Sequence, residues 1–250
     1  MCTLAIYFQT HPEFPVVIAA NRDEFYDRPA LPPTRLLDEP WAVGGKDLTA
    51  GGTWLGVNAH HLVAGVLNRR STAPPDATRW SRGQLCLDML REPTVEAAAA
   101  RICAEPGLRY NPFNLLLASP HAAAVIGNIT GVMRAQPLNS GVHVITNLDL
   151  NDFECPRIAR SYRLFEAAQQ LLRPESLDEF RAELRRILSD HATELDPRAE
   201  GPPNNLCVHT ARFGTRSSTL LISSALGGRF RMWHAAGPPC RTEYEEVPLP

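Results

Sequence analysis

The order of predicted strands and helices most constrains what this chain can fold into. Two strand pairs come before any helix, and two helices, four strands, two helices and three strands follow. Short strands joined by turns pair as antiparallel neighbours, and helices between them cover a sheet face. We therefore predict one α+β domain over residues 1–250, with antiparallel sheets and helices on their outer faces. The predicted strands are residues 3–8, 14–20, 53–57, 61–67, 113–118, 122–127, 132–136, 142–146, 218–223, 229–234 and 243–247, and the predicted helices are residues 81–90, 94–104, 156–172 and 177–189.

The segment between the second and third predicted strands is expected to be irregular. Residues 28–40 are rich in proline and have little hydrophobic periodicity, which predicts a surface loop. Two glycine pairs, Gly44-Gly45 and Gly51-Gly52, interrupt the stretch that follows. Long loops of this kind often carry function.

Composition excludes several classes of protein. A formal net charge of −2 over 250 residues gives no electrostatic basis for binding nucleic acid or an anionic membrane. No run reaches the ~18 apolar residues of a membrane helix, and the first strand lacks the features of a signal peptide, so we expect a cytoplasmic protein with no integral membrane segment. Lys46 is the only lysine, and this arginine bias, with alanine-rich runs, indicates a GC-rich bacterial genome.

The cysteines and histidines show no familiar ligand spacing. The six cysteines include no C-x-x-C pair, which argues against a disulfide framework or a structural zinc site. The adjacent His60 and His61 would point to opposite faces of a strand and cannot share a ligand. We therefore predict no metal ligands. The cysteines are Cys2, Cys86, Cys103, Cys155, Cys207 and Cys240.

Cys2 directly follows the initiator Met1. Removal of Met1 would leave a thiol and a free α-amine on one residue. A thiolate is a strong nucleophile, and an amine with a pKa of roughly 8 can take the thiol proton and return it to a leaving group. The alternative is that Cys2 simply begins a buried strand, because free cysteine is among the most buried residue types. Its position alone leaves both interpretations open.

Four polar residues, 21–24, close the second predicted strand. If this strand pairs with the first as a hairpin, its far end lies beside Cys2. A carboxylate at Asp23 can then accept a hydrogen bond from the ammonium group, and Arg22 can lower the thiol pKa. The alternative is an ordinary polar strand end that turns into a loop.

Motifs along nearly the whole chain carry a family resemblance. The motifs are Cys2, then NRDEF at 21–25, GGKDL at 44–48, GGTWLGVN at 51–58, RRS at 69–71, SRG at 81–83, NPFNL at 111–115, TN at 146–147 and GTRSST at 214–219. In this order they resemble the NRDE family, which includes proteins like transport and Golgi organisation protein 2. The first half of that family is similar to N-terminal nucleophile hydrolases of the penicillin V acylase and bile salt hydrolase type. The resemblance therefore implies a four-layer αββα sandwich of two antiparallel sheets.

The resemblance also implies a set of catalytic positions. Cys2 matches the nucleophile, and Asp23 matches the aspartate that binds its amine. Asn68 and Asn147 match two amide positions, of which Asn147 is the better candidate for stabilising an oxyanion. Arg22 is the nearest arginine to the one that these hydrolases use.

One position departs from the hydrolase pattern. An arginine usually stands three residues before the aspartate, and here that position is Ala20. Arg22 should point to the opposite strand face from Asn21 and Asp23. Either Arg22 reaches the site through a twist at the strand end, or the thiol is less activated than in an acylase.

Three further residues are candidates for substrate binding. Asn21 aligns with an asparagine two residues before the hydrolase aspartate, and Arg216 with a late arginine of the site. Trp54 lies beside the Gly51-Gly52 turn, where it either lines a ligand pocket or packs in the core. The residues leave both roles of Trp54 open.

Two main functions remain open on these grounds. The first is a cysteine amidohydrolase or acylase that cleaves a small amide or acyl substrate through Cys2. The second is a carrier without catalysis, because the resemblance also implies a link to haem trafficking or to acyl-CoA and lipid homeostasis. No C-x-x-C-H haem motif is present, so haem would be a transported ligand and no resident cofactor is expected. A structural role in the secretory pathway is a third alternative, and the oligomeric state stays open.

Overall fold

The structure is a computed structural model in which the chain forms two compact units. Unit 1 comprises Met1–Asp27 and Ser140–Pro248, and unit 2 comprises Arg28–Asn139 and Leu249–Pro250. Each unit is built on one antiparallel sheet. A single domain over the whole chain stays a prediction. The structure describes residues 2–128, 131–193, 205–225 and 228–250.

Strands and helices follow in nearly the predicted order. The strands are β1 (Thr3–Phe8), β2 (Val16–Phe25), β3 (Ala30–Asp38), β4 (Trp41–Asp47), β5 (Leu55–Asn58), β6 (Val63–Asn68), β7 (Phe113–Ala118), β8 (Ala123–Gly127), β9 (Arg134–Pro137), β10 (Gly141–Ile145), β11 (Phe213–Ser223), β12 (Phe230–Ala235) and β13 (Glu245–Val247). The helices are α1 (Arg82–Met89), α2 (Val95–Cys103), α3 (Pro156–Ala168) and α4 (Leu177–Leu188), with 3-10 turns at Gly107–Arg109, Gln169–Leu171 and Pro174–Ser176. Within the described part of the chain, no helix has the length and apolar character needed to cross a membrane.

The sheet of unit 1 has the strand order β10-β1-β2-β11-β12-β13. β1 and β2 form the predicted hairpin, in which Thr3 pairs with Asn21. On the other side of β2, Asp23 pairs with Thr215 of β11, and a register shift follows before Ser217. The beginning of β1 therefore lies beside the end of β2, where the sequence placed its candidate site.

Helices α3 and α4 cover one face of this sheet. Tyr7 of β1 donates a hydrogen bond to the carbonyl of Phe165 at 2.7 Å, and its ring meets the edge of Phe180 with centroids 5.3 Å apart. Phe180, Leu184 and Leu188 recur at helical spacing on α4 and are fully buried. Each such side chain contributes roughly 2 kcal/mol of burial free energy, so this layer anchors the sheet that carries Cys2.

Unit 2 is a meander of seven strands in the order β3-β4-β5-β6-β7-β8-β9. Helices α1 and α2 pack on it through buried residues such as Met89 and Ile102. The hydroxyls of Ser81 and Thr94 cap the two helices, each accepting a hydrogen bond from a backbone N–H of the first turn.

The prediction of a surface loop over residues 28–40 is wrong, because β3 occupies Ala30–Asp38. Proline cannot donate to a sheet, which is why this segment resembled a loop. β3 is one of the two edge strands of its sheet, and its register shifts between Leu31 and Thr34, where two consecutive prolines stand. Edge strands and bulges tolerate proline, because no inter-strand hydrogen bond is lost there.

β4 was not predicted, because its glycine pair resembled a break in structure. A Cβ atom at Gly44 would lie 2.4 Å from the Leu55 carbonyl oxygen, and one at Gly45 would lie 2.0 Å from Cζ2 of Trp54. Both glycines are therefore needed for the close approach of neighbouring groups within a continuous strand.

Candidate active site

The sulfur of Cys2 lies against the backbone of Asp23. It accepts a hydrogen bond from the Asp23 N–H at 3.3 Å and donates to the Asp23 carbonyl at 3.5 Å. Thr3 pairs with Asn21, so one further step of the same register sets Cys2 opposite Arg22. Directly opposite residues of an antiparallel pair share a sheet face. Arg22 is thus on the side of the thiol, whereas strand alternation directs Asn21 and Asp23 to the other face.

The surroundings of Cys2 favour its protonated form. Burial raises the pKa of the Cys2 thiol, and the negative charge of Asp23 raises it further. The hydrogen bond from the Asp23 N–H and, less strongly, the positive charge of Arg22 lower this pKa but do not reverse the direction. Near neutral pH the thiol therefore requires a proton acceptor before it can attack a substrate.

The carboxylate of Asp23 has a fixed orientation. Its Oδ1 accepts a hydrogen bond from the Thr215 hydroxyl at 2.7 Å, and that hydroxyl accepts one from the Val208 N–H at 2.9 Å. Asp23 is buried, so its charge is screened little by water. This arrangement can hold an ammonium group at the start of β1.

Arg157 adds a buried cation that the sequence motifs did not indicate. It lies in the first turn of α3, is 3% exposed, and donates a hydrogen bond to the hydroxyl of Thr3. Burial lowers the pKa of Arg157, and the negative charge of Asp23 acts in the opposite direction. The site therefore contains arginines from two elements, Arg22 and Arg157, near the acid and the thiol.

A signal for Arg157 was present in the spacing of α3. Arg157, Ser161, Phe165 and Ala168 are all buried and recur at helical spacing. An arginine on the apolar stripe of a helix is unusual, because buried charges are normally paired. The hydrophobic pattern thus identifies Arg157 as unusual, but it does not identify its partner.

Asn147 lies at the same end of the sheet as Cys2. β10 pairs Ile145 with Leu4 of β1. Asn147 comes two residues after Ile145, and Cys2 comes two residues before Leu4, so both leave the strand pair at one end. Asn147 is partly buried and carries an amide that can donate to an oxyanion.

Asn21 is used in part to hold the fold. Its amide nitrogen donates to the carbonyl oxygens of Leu188 and Leu206 at 2.8 and 2.9 Å. Its Oδ1 is buried and has no hydrogen-bond partner within the described residues. Asn21 therefore links β2 to the end of α4, and its substrate-binding role stays a prediction.

The other predicted site residues have contacts of their own. In unit 2, Asn68 ends β6 and is exposed, and Trp54 packs its ring against Gly45. In unit 1, Arg216 is the extra residue at the register shift of β11, and its Nη1 donates to the carbonyl of Tyr26 at 2.6 Å. The catalytic role of Asn68 and the binding roles of Trp54 and Arg216 stay predictions.

Three solved structures have a similar fold. They are penicillin V acylase from Agrobacterium tumefaciens (TM-score 0.54, 13% identity, covering 99% of this chain and 98% of that one), the Caenorhabditis elegans ortholog of N-acylethanolamine-hydrolyzing acid amidase (0.55, 15%, 99% and 100%) and a mutant conjugated bile acid hydrolase from Clostridium perfringens (0.57, 9%, 100% and 97%). At these identities the likeness establishes the fold. The predicted α+β fold of two antiparallel sheets, of the N-terminal nucleophile hydrolase type, is confirmed.

The whole-chain sequence comparisons agree with the predicted family. The bovine "Transport and Golgi organization protein 2 homolog" is 28% identical, and the human homolog is 26% identical, each covering 91% of this chain and 90% of the relative. These relatives are mammalian, so they give no support to the bacterial source predicted from composition. The sequence model described as "Transport and Golgi organisation 2" matches residues 1–232, and the chain belongs to that family.

Proposed function

We propose that this chain is a cysteine N-terminal nucleophile amidohydrolase or acylase that cleaves a C–N bond in a small, non-peptide amide or acyl substrate. The observation that supports it most is the Cys2 sulfur, held 3.3 Å from the Asp23 N–H at the end of the central hairpin. Two structures that share the fold are named as an acylase and an acid amidase. Composition adds a cytoplasmic location to the proposal.

The proposed reaction begins with removal of Met1, which lies outside the described residues. The freed α-amine of Cys2 takes the thiol proton. This transfer is needed because the raised pKa of the thiol keeps it protonated. Asp23, oriented by Thr215, accepts a hydrogen bond from the resulting ammonium group. The positive charge of Arg22 stabilises the thiolate.

The thiolate then attacks the substrate carbonyl, and a C–S bond forms. The amide of Asn147 and a backbone N–H donate hydrogen bonds to the oxyanion. The ammonium group returns its proton to the leaving amine as the C–N bond breaks. Water, deprotonated by the same amine, hydrolyses the thioester and regenerates the thiol. Asn21 and Arg216 contact the substrate in this proposal, and the roles of Asn68 and Trp54 stay predictions from the sequence.

Intact mass spectrometry and a covalent probe test this proposal together. The mass of protein from its native host should correspond to loss of Met1, and a β-lactone or activated-ester probe should acylate the wild type. Cys2→Ala should abolish labelling, whereas the matched variant Cys103→Ala, at an exposed cysteine of unit 2, should label normally. Active protein that retains Met1 would contradict the mechanism, because its amine would be blocked.

The carrier alternative has one observation in its favour. The raised pKa keeps the Cys2 thiol protonated, which suits binding without cleavage. The same residues would then bind haem or an acyl-CoA as a transported ligand. Titration of haemin and of an acyl-CoA into wild type and Cys2→Ala distinguishes the two functions. Equal affinity in both proteins, with no product from any acyl substrate, would support the carrier.

A further inference from the structure

Two cysteines and two histidines of unit 1 converge into one group, which we call the thiol–imidazole cluster. Its members are His191, Cys207, His209 and Cys240, and one potential ligand atom from each lies within 4.8 Å of all the others. We propose that the thiol–imidazole cluster binds one Zn²⁺ ion in a closed tetrahedral site. The proposal does not depend on catalysis by Cys2.

The distances in the cluster match those of a zinc site. The two sulfur atoms are 3.6 Å apart, and Nε2 of His209 lies 3.5 Å from Cys207 Sγ and 3.3 Å from Cys240 Sγ. Zinc binds sulfur at about 2.3 Å and imidazole nitrogen at about 2.0 Å, so tetrahedral angles set two sulfurs about 3.8 Å apart and a sulfur and a nitrogen about 3.5 Å apart. These three atoms therefore fit around one ion with shifts of a few tenths of an ångström, and His191, whose ligand atom lies within 4.8 Å of the others, moves closer on binding.

The chemistry of the donors selects the metal. Thiolate and imidazole ligands favour zinc and other soft or borderline ions, whereas calcium and magnesium require oxygen ligands. The four donors include no carboxylate. On binding, each thiol releases its proton, and the two thiolates neutralise the charge of the ion. His209 binds through Nε2, the atom that faces both sulfurs.

Cys207 and His209 lie on one short segment. Their side chains meet, because Nε2 of His209 lies 3.5 Å from Cys207 Sγ. His209 forms an antiparallel bridge with Gly214, which aligns this segment with the start of β11. The N–H of Cys207 donates to the carbonyl of Asp190 at 3.0 Å, which ties the segment to the chain around His191.

The loop of Cys240 is anchored independently. Arg185 of α4 donates from Nε to the carbonyl of Pro239 at 3.2 Å. The backbone N–H groups of Arg241 and Thr242 both donate to the carbonyl of Pro238 at 3.0 Å. Hydrogen bonds that do not involve the ligand atoms thus place both Cys207 and Cys240, which lowers the entropic cost of assembling the site.

Four protein ligands leave no open coordination position, so the ion would be structural. It would hold the segment that positions two residues of the candidate active site. The carbonyl of Leu206 accepts a hydrogen bond from Asn21, and the N–H of Val208 donates to the Thr215 hydroxyl that orients Asp23. Zinc would therefore stabilise the end of β2 that carries Asn21 and Asp23 without taking part in the reaction.

The sequence did not predict this site. Cys207 and His209 form a C-x-H pair, but His191 and Cys240 are distant in the chain and belong to no recognised spacing. The expectation of no metal ligands rested only on the spacing of cysteines and histidines along the chain.

Metal analysis of the full-length protein, purified anaerobically from zinc-supplemented cells, tests the proposal. About one zinc ion per chain is expected in the wild type. Cys240→Ser and His209→Ala should reduce the bound zinc to background. The matched control Cys103→Ser, at an exposed cysteine of unit 2, should keep the full equivalent.

A ligand exchange separates metal binding from misfolding. Cys240→His retains a donor at the same place, so it should still bind zinc although Cys240→Ser does not. After replacement of zinc by Co²⁺, the wild type should show tetrahedral d–d bands and a thiolate-to-cobalt charge-transfer band. That charge-transfer band should be weaker in Cys240→His, which has lost one thiolate.

Three results would overturn the proposal. The first is a folded wild type that remains metal-free after anaerobic incubation with zinc. The second is an equal loss of zinc from Cys103→Ser and Cys240→Ser. The third is a disulfide between Cys207 and Cys240 in the anaerobic protein, seen as a mass lower by two hydrogen atoms that reductant restores.

Discussion

The two cysteine sites of unit 1 differ in what surrounds the sulfur. The Cys2 sulfur lies alone against the backbone of Asp23, with the charges of Asp23 and Arg22 acting on its pKa. In the thiol–imidazole cluster, two sulfurs lie 3.6 Å apart and share one imidazole nitrogen. A lone thiol among acidic and basic groups can change its protonation and react, whereas paired thiols beside imidazoles can share a cation. The surroundings of the sulfur, more than the residue type, therefore decide whether a cysteine is suited to react or to bind a metal ion.

The two sites are nevertheless joined by one segment. Leu206 and Val208 flank Cys207, and they also hold Asn21 and Thr215 through hydrogen bonds. Changes in one site should therefore reach the other through the position of this segment, and also through the charge of Asp23, which acts on His209.

A double dissociation is the largest expected effect. Cys2→Ala should lose covalent labelling by more than about a thousandfold and keep its zinc, since the proposed nucleophile is absent but the cluster is intact. Cys240→Ser should lose its zinc and keep labelling within about tenfold of wild type, a change of about 1.4 kcal/mol in barrier. Labelling rates and metal content, measured on the same preparations, check both results. If Cys2→Ala also lost zinc, the two sites would not be separate.

Arg157→Met should be the most destabilising single change at the Cys2 site. It removes a buried guanidinium from the side of Asp23 and leaves the carboxylate with less compensation, at a cost of about 3 kcal/mol. Urea unfolding at pH 7 measures this loss. The control Arg163→Ala, exposed on the same helix, should change stability by less than about 0.5 kcal/mol. Equal losses of stability in the two variants would show that Arg157 has no special role at the Cys2 site.

Acid should weaken unit 1 even without metal, through His234. Burial lowers the pKa of His234 to about 4, below its ordinary value of 6.5, and Nδ1 lies 2.9 Å from the Thr219 hydroxyl. Between these two pKa values the His234 imidazole binds a proton in the unfolded chain but not in the folded chain. The free energy of unfolding is therefore highest above about pH 6.5 and falls as the pH drops toward 4. The expected loss from pH 7 to 4.5 is about 2 kcal/mol.

Urea unfolding with a zinc chelator present at both pH values separates the contribution of His234 from the loss of zinc at low pH. His234→Gln should flatten the dependence on pH. An unchanged slope in His234→Gln would assign the acid sensitivity to other groups.

Thr215→Val should cause the smallest of these changes in stability, and it should affect both the Cys2 site and the thiol–imidazole cluster. It leaves the Val208 N–H and the Asp23 Oδ1 without the hydroxyl between them, at a cost of about 1.5 kcal/mol. Thr215→Ser, which keeps the hydroxyl, should cost less. Denaturant midpoints together with labelling rates measure the effect, and equal losses in both variants would show that the methyl group matters more than the hydrogen bonds.

Local pairing explains how much of the Cys2 site could be predicted. β1 and β2 are consecutive strands of one hairpin, so the positions of Cys2 and Asp23 followed from a turn and two short strands. The same register places Arg22 on the sheet face of the thiol. The sequence alone did not decide whether Arg22 reaches the thiol. β3 and β4 were missed because proline and glycine were taken as breaks, although an edge position and close strand packing tolerate them.

Arg157 and the thiol–imidazole cluster could not be predicted in the same way. Arg157 reaches Thr3 across 154 positions in the chain, and Cys207 meets Cys240 across 33. No period or motif relates residues at such separations, and only the packing of α3 and the ends of α4, β11 and β12 brings them together.

The sequence by itself determined the α+β class, the family, and a thiol set beside an acid at the end of the first hairpin. These follow from short-range strand periodicity and from contiguous motifs, which do not depend on distant parts of the chain. Only the tertiary structure decided which cations accompany that thiol and which other cysteines meet histidines. Those pairings arise when helices and loops dock on the sheet, because burial of apolar surface sets their positions and the polar side chains are placed as a consequence.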